Sequence, residues 1–280
     1  MNEVEFYLED LKSKFSKINP KEYYLSYSGG KDSHFLYWFI KEYLKDNQIK
    51  VVGINTYLEH QQILNRINNN SDVVLKPVMK PFEIKEKYGI PCFSKIQDNV
   101  IYYYQNGSRA NWVMQRINGL DEKGNPWKFR INNIAREKLL DGSLHKISNK
   151  CCTYLKKKPA YQFNKNSGVL PILGVRASES IQRKAMYTTC FTKDKKFTPL
   201  HDLKDDLLTK IYNYCNIEIP KIYDLVTKTG CMGCPYGSWK GDTVKELALV
   251  TDNQYKFLWE YFRESYKVLN ISNYRQLTLF

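Results

Sequence analysis

A short glycine-rich segment between a strand and a helix constrains this chain more than any other feature. The segment consists of Ser28, Gly29, Gly30, Lys31, Asp32 and Ser33. It follows a β-prone run at Tyr23–Tyr27 and precedes an apolar helical pattern that extends to about Leu44. Glycines let backbone N–H groups approach an anion, and a helix N-terminus adds partial positive charge. The sequence therefore predicts a phosphate-binding loop, with Lys31 as a mobile cation and two serine hydroxyls as donors.

Strand and helix patterns alternate on both sides of this loop. Further strands are predicted at residues 51–54, 73–75 and 169–174, and helices at residues 3–18, 60–68, 203–216 and, as a pair, 243–268. This alternation is typical of an α/β fold with a parallel twisted sheet flanked by helices. We expect one domain over residues 1–280, with a core at about 20–240, a helical insertion at about 82–149, and C-terminal helices and a tail at 241–280. We also expect the C-terminal region to bind a metal cluster.

Composition excludes two protein classes and leaves one question open. A hydrophobic content of 42% argues against a disordered chain, and no apolar run is long enough to cross a membrane. The acidic, amphipathic first 15 residues do not resemble a secretory signal, so we expect a cytoplasmic protein. The net charge of +14 fits either a solvated lysine-rich surface or a field that attracts a polyanion.

Four of the seven cysteines form a metal-binding pattern. Cys151 and Cys152 are adjacent, and Cys231 and Cys234 form a C-x-x-C pair. An odd number of cysteines without a secretory signal argues against a disulfide framework. Four thiolates suit either a structural zinc ion or a [4Fe–4S] cluster, and the spacing alone leaves both open.

The glycine-rich loop resembles the pyrophosphate-binding loop (PP-loop) of the adenine nucleotide α-hydrolase-like superfamily, which includes ATP pyrophosphatases, tRNA thiolases and sulfonucleotide reductases. Residues 55–60, with the sequence NTYLEH, are similar to the N-T-G-L-E segment of the phosphoadenosine phosphosulfate reductase family. Tyr57 stands where that family has glycine, so we expect a different local backbone there. The resemblance implies that the loop and Glu59 bind ATP or a related adenylate, with Mg²⁺ as a further candidate cofactor.

Residues 174–183, with the sequence GVRASESIQR, resemble the G-x-R-x-x-E-S-x-x-R segment of the same family. Arg176 and Arg183 can bracket a phosphate or sulfate with charge-assisted hydrogen bonds. Glu179 can position one of these arginines or a metal ion. The candidate catalytic residues are therefore Lys31, Asp32, Arg176 and Arg183.

The four cysteines resemble the CC…CxxC cluster motif of the adenylylsulfate reductases, in which a lysine follows the adjacent pair as Lys156 does here. This resemblance implies a [4Fe–4S] cluster on Cys151, Cys152, Cys231 and Cys234, with the lysine compensating its negative charge. Cys190 has three interpretations: a substitute cluster ligand, a catalytic persulfide carrier, or a core residue. Cys92 and Cys215 are expected to be structural.

One departure from the reductases directs the functional prediction. Those enzymes attack with a cysteine near the C-terminus, and no cysteine follows Cys234 in this sequence. The intact loop instead favours ATP-dependent adenylation of an acceptor for sulfur transfer, with tRNA or DNA favoured over a small metabolite. The alternatives are a sulfonucleotide reductase whose nucleophile is Cys190 or comes from a partner, and a non-catalytic DNA- or clamp-associated module that keeps the cluster.

The last residues carry a weaker signal. Gln276–Phe280 (QLTLF) resemble the peptide by which bacterial DNA-processing proteins bind the replication sliding clamp. The same residues could also form an apolar strand that packs on its own domain.

Overall fold

The computed structural model describes residues 2–227 and 229–272, so the predicted clamp-binding peptide at 276–280 lies outside the described residues. Within them a parallel sheet forms in the order β3-β2-β1-β4. Its strands are β1 (Tyr23–Tyr27), β2 (Lys50–Ile54), β3 (Val73–Leu75) and β4 (Leu170–Leu173). The predicted parallel α/β fold with flanking helices is confirmed.

The helices are α1 (Glu3–Phe15), α2 (Lys31–Trp38), α3 (Gln61–Asn70), α4 (Pro81–Tyr88), α5 (Lys95–Gln105), α6 (Asn111–Asn118), α7 (Asn133–Leu140), α8 (Lys150–Cys152), α9 (Lys158–Ser167), α10 (Ile181–Met186), α11 (Asp205–Tyr214), α12 (Asp242–Leu249) and α13 (Asp252–Val268). Among the described residues, none of these helices is long and apolar enough to cross a membrane.

Contacts group the described residues into two compact units. Unit 1 is formed from Met1–Pro77 and Lys158–Thr229, and unit 2 from Val78–Lys157 and Gly230–Phe280. The expectation of a single domain stays a prediction. The phosphate loop and the whole sheet belong to unit 1, and the four cysteines of the predicted cluster belong to unit 2.

The core of unit 1 explains why the loop is held firmly. Leu25 of β1 and Phe35 and Leu36 of α2 are fully buried. Each such side chain contributes roughly 1.5–3 kcal/mol on burial. Phe15 of α1 packs edge-on against Phe197 with ring centroids 5.2 Å apart. The apolar faces of β1 and α2 are therefore fixed on both sides of the loop that joins them.

Unit 2 has a separate core beneath α5, α6 and α7. Val100, Ile101 and Val113 are buried in it. Asp98 on α5 is also fully buried, and its carboxylate accepts hydrogen bonds from the backbone N–H groups of Cys92 (2.7 Å) and Phe93 (3.0 Å). This carboxylate therefore ties the segment before α5 to the helix.

Candidate functional site

The predicted phosphate loop has the shape that an anion site needs. Gly29 adopts φ of +70°, a left-handed conformation that favours glycine, and a Cβ added there would lie 3.0 Å from Ile63 Cγ2. The Ser28 N–H donates to the Ser33 hydroxyl (3.2 Å), and that hydroxyl donates to the Gly30 carbonyl (3.1 Å). The loop is thus folded across the first turn of α2.

A second glycine brings the late arginine segment to the loop. Gly174 follows β4, which pairs with β1. A Cβ at Gly174 would lie 2.9 Å from the Ser33 nitrogen and 3.0 Å from the Asp32 carbonyl carbon. Only a residue without a side chain allows this approach, which places the segment that carries Arg176 against the start of α2.

The loop and the arginine segment line one pocket of about 480 Å³ in unit 1. We call it the loop pocket, and its lining includes Ser28, Lys31, Arg176, Arg183, Asp205 and Tyr223. A volume of this size suits a nucleotide-sized ligand. The structure therefore brings the predicted loop residues and both predicted arginines together.

The arginines of the pocket are paired with carboxylates. Arg176 is only 5% exposed, and its guanidinium donates to the carboxylates of Asp32 and Asp205. Arg183 forms an ion pair with Glu179. Arg176 thus fixes the side chain of Asp32 in the loop. The described lining of the pocket contains equal numbers of cations and carboxylates: Lys31, Arg176 and Arg183, and Asp32, Glu179 and Asp205.

Tyr223 covers the start of α2. Its hydroxyl accepts a hydrogen bond from the Lys31 N–H (3.0 Å) and shares another with the Thr229 hydroxyl (2.7 Å). The Lys31 ammonium lies 4.2 Å from the centre of the Tyr223 ring. Burial lowers the pKa of Lys31. The Tyr223 hydroxyl therefore accepts from the Lys31 N–H, a backbone donor at the start of α2 of the kind that binds anions.

Glu59 supports the turn after β2. Its carboxylate accepts hydrogen bonds from the Thr56 backbone N–H (2.8 Å) and from the Thr56 hydroxyl. Tyr57 within this turn has φ of +68°, a conformation that glycine adopts at little cost. Tyr57 thus lies in the left-handed region that glycine favours, and the expectation of a different backbone from that of the family stays a prediction.

Cys190 lies against the core of unit 1 and is not among the described residues that line the loop pocket. Its sulfur is 3.8 Å from His201 Nδ1. Burial raises the pKa of the Cys190 thiol, which favours the protonated form over the thiolate. Its catalytic role stays a prediction.

The four cysteines of unit 2 influence one another electrostatically. A hydrogen bond from the Cys151 thiol lowers the pKa of Cys152, and the charges of Lys95, Lys156 and Lys157 lower it further. Burial raises the pKa of Cys234. Over residues 2–227 and 229–272, no three His, Cys, Asp or Glu side chains converge as ligands of one metal ion. The [4Fe–4S] cluster stays a prediction.

Three residues of the loop pocket had no signal in the sequence. Asp205, Tyr223 and Thr229 come from α11 and from the irregular segment that follows it. They lie in no motif, and only the packing of unit 1 brings them to the loop.

Comparison with known proteins gives fold-level similarity alone. The sequence matches no protein-family model and no curated protein. Among solved structures, a phosphoadenylyl-sulfate (PAPS) reductase from Candida auris in a phosphate complex is 14% identical, with a TM-score of 0.44, over 78% of this chain and 84% of that one. An NH₃-dependent NAD synthetase from Campylobacter jejuni in complex with nitrate is 12% identical, with a TM-score of 0.35, over 95% of this chain and 94% of that one. The function must therefore follow from the loop pocket itself.

Proposed function

We propose that this chain is a PP-loop enzyme that binds ATP in the loop pocket and adenylates an acceptor, with nucleic acid favoured, for sulfur transfer. The observation that carries the proposal is the loop geometry. Gly29 is in the left-handed conformation, and the N-terminus of α2 opens into a pocket that also contains Lys31 and Arg183. Backbone N–H groups at a helix start and a nearby ammonium are the groups that bind phosphate oxygens.

The charge balance of the pocket supports a metal-bound polyphosphate. Its described lining pairs three cations with three carboxylates, so the protein alone offers little net charge to neutralise ATP. Mg²⁺ binds phosphate oxygens together with one or two carboxylates. Asp32, held by Arg176, and Asp205 are the carboxylates in place for such a role.

The proposed reaction assigns a task to each group. The loop N–H groups and Lys31 would hold the β- and γ-phosphates, and Arg183 would stabilise charge that develops on the leaving pyrophosphate. An oxygen of the acceptor attacks the α-phosphorus, the bond to the β-phosphate oxygen breaks, and pyrophosphate leaves. A sulfur nucleophile then displaces AMP, so the acceptor loses that oxygen and gains sulfur.

The four cysteines of unit 2 are the residues that we propose as ligands of a [4Fe–4S] cluster. Cys151, Cys152, Cys231 and Cys234 supply four thiols, and the lowered pKa of Cys152 favours the thiolate that binds iron. The Tyr261 hydroxyl is buried and has no hydrogen-bond partner in the described part of the chain. Burial, followed by the charges of the four cysteines, raises the pKa of Tyr261. When bound, the cluster would supply an iron site for sulfur delivery.

Two measurements test the proposal. Purified protein incubated with ATP, an RNA or DNA acceptor and sulfide as the sulfur nucleophile should release AMP and pyrophosphate. Lys31→Ala should lose this activity, and the surface control Lys21→Ala should keep it. ADP as the product would contradict adenylation. Anaerobic protein should contain iron and acid-labile sulfide, reduced in Cys152→Ser and unchanged in Cys215→Ser. Stoichiometric zinc without iron would remove the cluster from the proposal.

A further inference from the structure

A second cavity of about 540 Å³ lies in unit 1 on the other side of the Lys221–Asp224 turn from the loop pocket. We call it the α3 groove, and its lining includes His34, Asn65, Arg66, Asn69, Asn70 and Lys221. The described linings of the two cavities have no residue in common. Ser33 lines the loop pocket and His34 lines the groove, so the first turn of α2 lies between two separate cavities.

The helix that forms the groove is unusually rich in carboxamides. Six of the ten residues of α3 are Asn or Gln, and Arg66 is its one charged residue. An ordinary solvated face in a chain with 43 Lys and Arg would carry lysines. Ile63 and Ile67 bury the opposite side of the helix. The polar side of α3 therefore presents paired amide donors and acceptors with little charge.

His34 contributes a fixed donor to this surface. The Asn70 amide donates to the Tyr27 hydroxyl (3.0 Å), so the hydrogen of that hydroxyl is directed to His34 Nδ1, 2.8 Å away. Burial lowers the pKa of His34 to about 3, so the ring is neutral. A neutral ring that accepts at Nδ1 carries its proton on Nε2, which leaves one N–H donor at the groove wall.

Arg66 contributes a donor that lacks a partner. Its Nη2 donates to the Glu218 carbonyl, which fixes the guanidinium beside the groove. Its Nη1 is buried and has no hydrogen-bond partner within residues 2–227 and 229–272. A buried, unpartnered N–H destabilises the free protein. Because Arg66 lines the groove, a small movement of its guanidinium would bring this N–H to an acceptor atom of a ligand there and relieve that penalty.

We infer that the α3 groove binds one nucleotide of a single-stranded nucleic acid, the acceptor of the reaction proposed above, on which this inference rests. Carboxamides match the hydrogen-bonding edges of an unstacked base. Arg66 and Lys221 match a phosphodiester and outnumber Glu218, the one carboxylate of the described lining. The cavity volume suits a nucleotide. Lys221 lines the groove and Tyr223 lines the loop pocket, so a strand bound in the groove lies beside the pocket that we propose for ATP.

Two adjacent residues of α3 provide a matched test. Asn69 lines the groove, whereas Asn68 is exposed and is not part of its lining. Asn69→Asp and Asn68→Asp make the same change in net charge one residue apart. Binding of labelled single-stranded oligoribonucleotides and oligodeoxyribonucleotides is measured by fluorescence anisotropy at physiological salt, with thermal unfolding of each variant as the check of folding.

We expect Asn69→Asp to weaken oligonucleotide binding about tenfold, because one amide–base contact contributes roughly 1–3 kcal/mol, and Asn68→Asp to change it less than about twofold. A preference for one of the two oligonucleotides identifies the acceptor as RNA or DNA. Equal weakening by both variants would overturn the inference, since only surface charge would then matter. Competition by AMP as strong as by the oligonucleotide would also overturn it, because the groove would then bind free nucleotides.

The proposed function can fail separately. Wild-type protein that converts ATP to AMP and pyrophosphate but binds neither oligonucleotide would refute the groove inference and leave the ATP chemistry in place. Wild-type protein that binds oligonucleotides in an Asn69-dependent way but releases no AMP would refute the proposed function and keep the groove as a nucleic-acid site.

Discussion

Replacing Tyr223 by phenylalanine removes one hydroxyl from the mouth of the phosphate loop and keeps the aromatic ring. In the structure that hydroxyl accepts a hydrogen bond from the Lys31 N–H (3.0 Å). The Lys31 ammonium lies over the ring, 4.2 Å from its centre, and phenylalanine preserves this cation–π contact. Tyr223→Phe therefore tests the hydroxyl alone.

The size of the effect follows from the hydrogen bond that is lost. A phosphate oxygen must displace the Tyr223 hydroxyl to reach the Lys31 N–H, and a net hydrogen bond is worth roughly 0.5–1.5 kcal/mol. The variant has no such bond to break, so it should bind pyrophosphate about 2- to 12-fold more tightly than the wild type. The free variant should also be less stable by a similar amount.

Isothermal titration calorimetry with pyrophosphate measures the first effect and thermal unfolding the second. Tyr24→Phe is the matched control, because the Tyr24 hydroxyl donates to the Asn164 side chain (2.6 Å) and does not line the loop pocket. The control should lose stability and keep its affinity for pyrophosphate. Weaker binding by Tyr223→Phe would refute the reasoning, since the hydroxyl would then be a ligand contact and not a competitor.

Three further predictions concern the loop and the core of unit 2. Lys31→Ala should weaken pyrophosphate binding about 10- to 150-fold, because a charged hydrogen bond contributes roughly 1.5–3 kcal/mol, and calorimetry measures this. Gly29→Ala should lower the melting temperature more than Gly168→Ala: both glycines have φ near +70°, but the added Cβ lies 3.0 Å from Ile63 Cγ2 at Gly29 and meets nothing within 4 Å at Gly168. Equal shifts would show that the close contact is unimportant. Burial raises the pKa of Asp98 from 3.8 to about 6, so the folded protein favours the protonated side chain. The stabilisation from this proton is fully present below pH 3.8 and is lost as the pH rises through 6. From pH 7 to pH 4 the wild type should therefore gain about 2 kcal/mol relative to Asp98→Asn in denaturant titrations, and parallel pH profiles would contradict this.

The sheet was predictable because each strand is marked by local chemistry. The β-prone run at Tyr23–Tyr27 and the short apolar run at Val73–Leu75 form strands with the predicted bounds. The glycines and the following helical pattern likewise located the loop, since φ above zero and a helix start are local properties. The strand order β3-β2-β1-β4 is a tertiary property, and no local pattern in the sequence specifies it.

The partners of the site residues were not predictable. Arg176 was expected to bracket an anion, but the packing of β4 and α11 gives it two carboxylates, Asp32 and Asp205. Tyr223 reaches the Lys31 N–H from a short turn far away in sequence. Such contacts depend on how distant segments pack, and neither residue type nor spacing encodes them.

The conversion of ATP by the purified protein tests the central claim most directly. If the loop pocket holds the β- and γ-phosphates, radiolabelled ATP should yield AMP and pyrophosphate in equal amounts when an RNA or DNA acceptor and sulfide are present, and Lys31→Ala should abolish both products. Release of ADP and phosphate, or equal turnover by Lys31→Ala, would contradict an adenylating PP-loop enzyme.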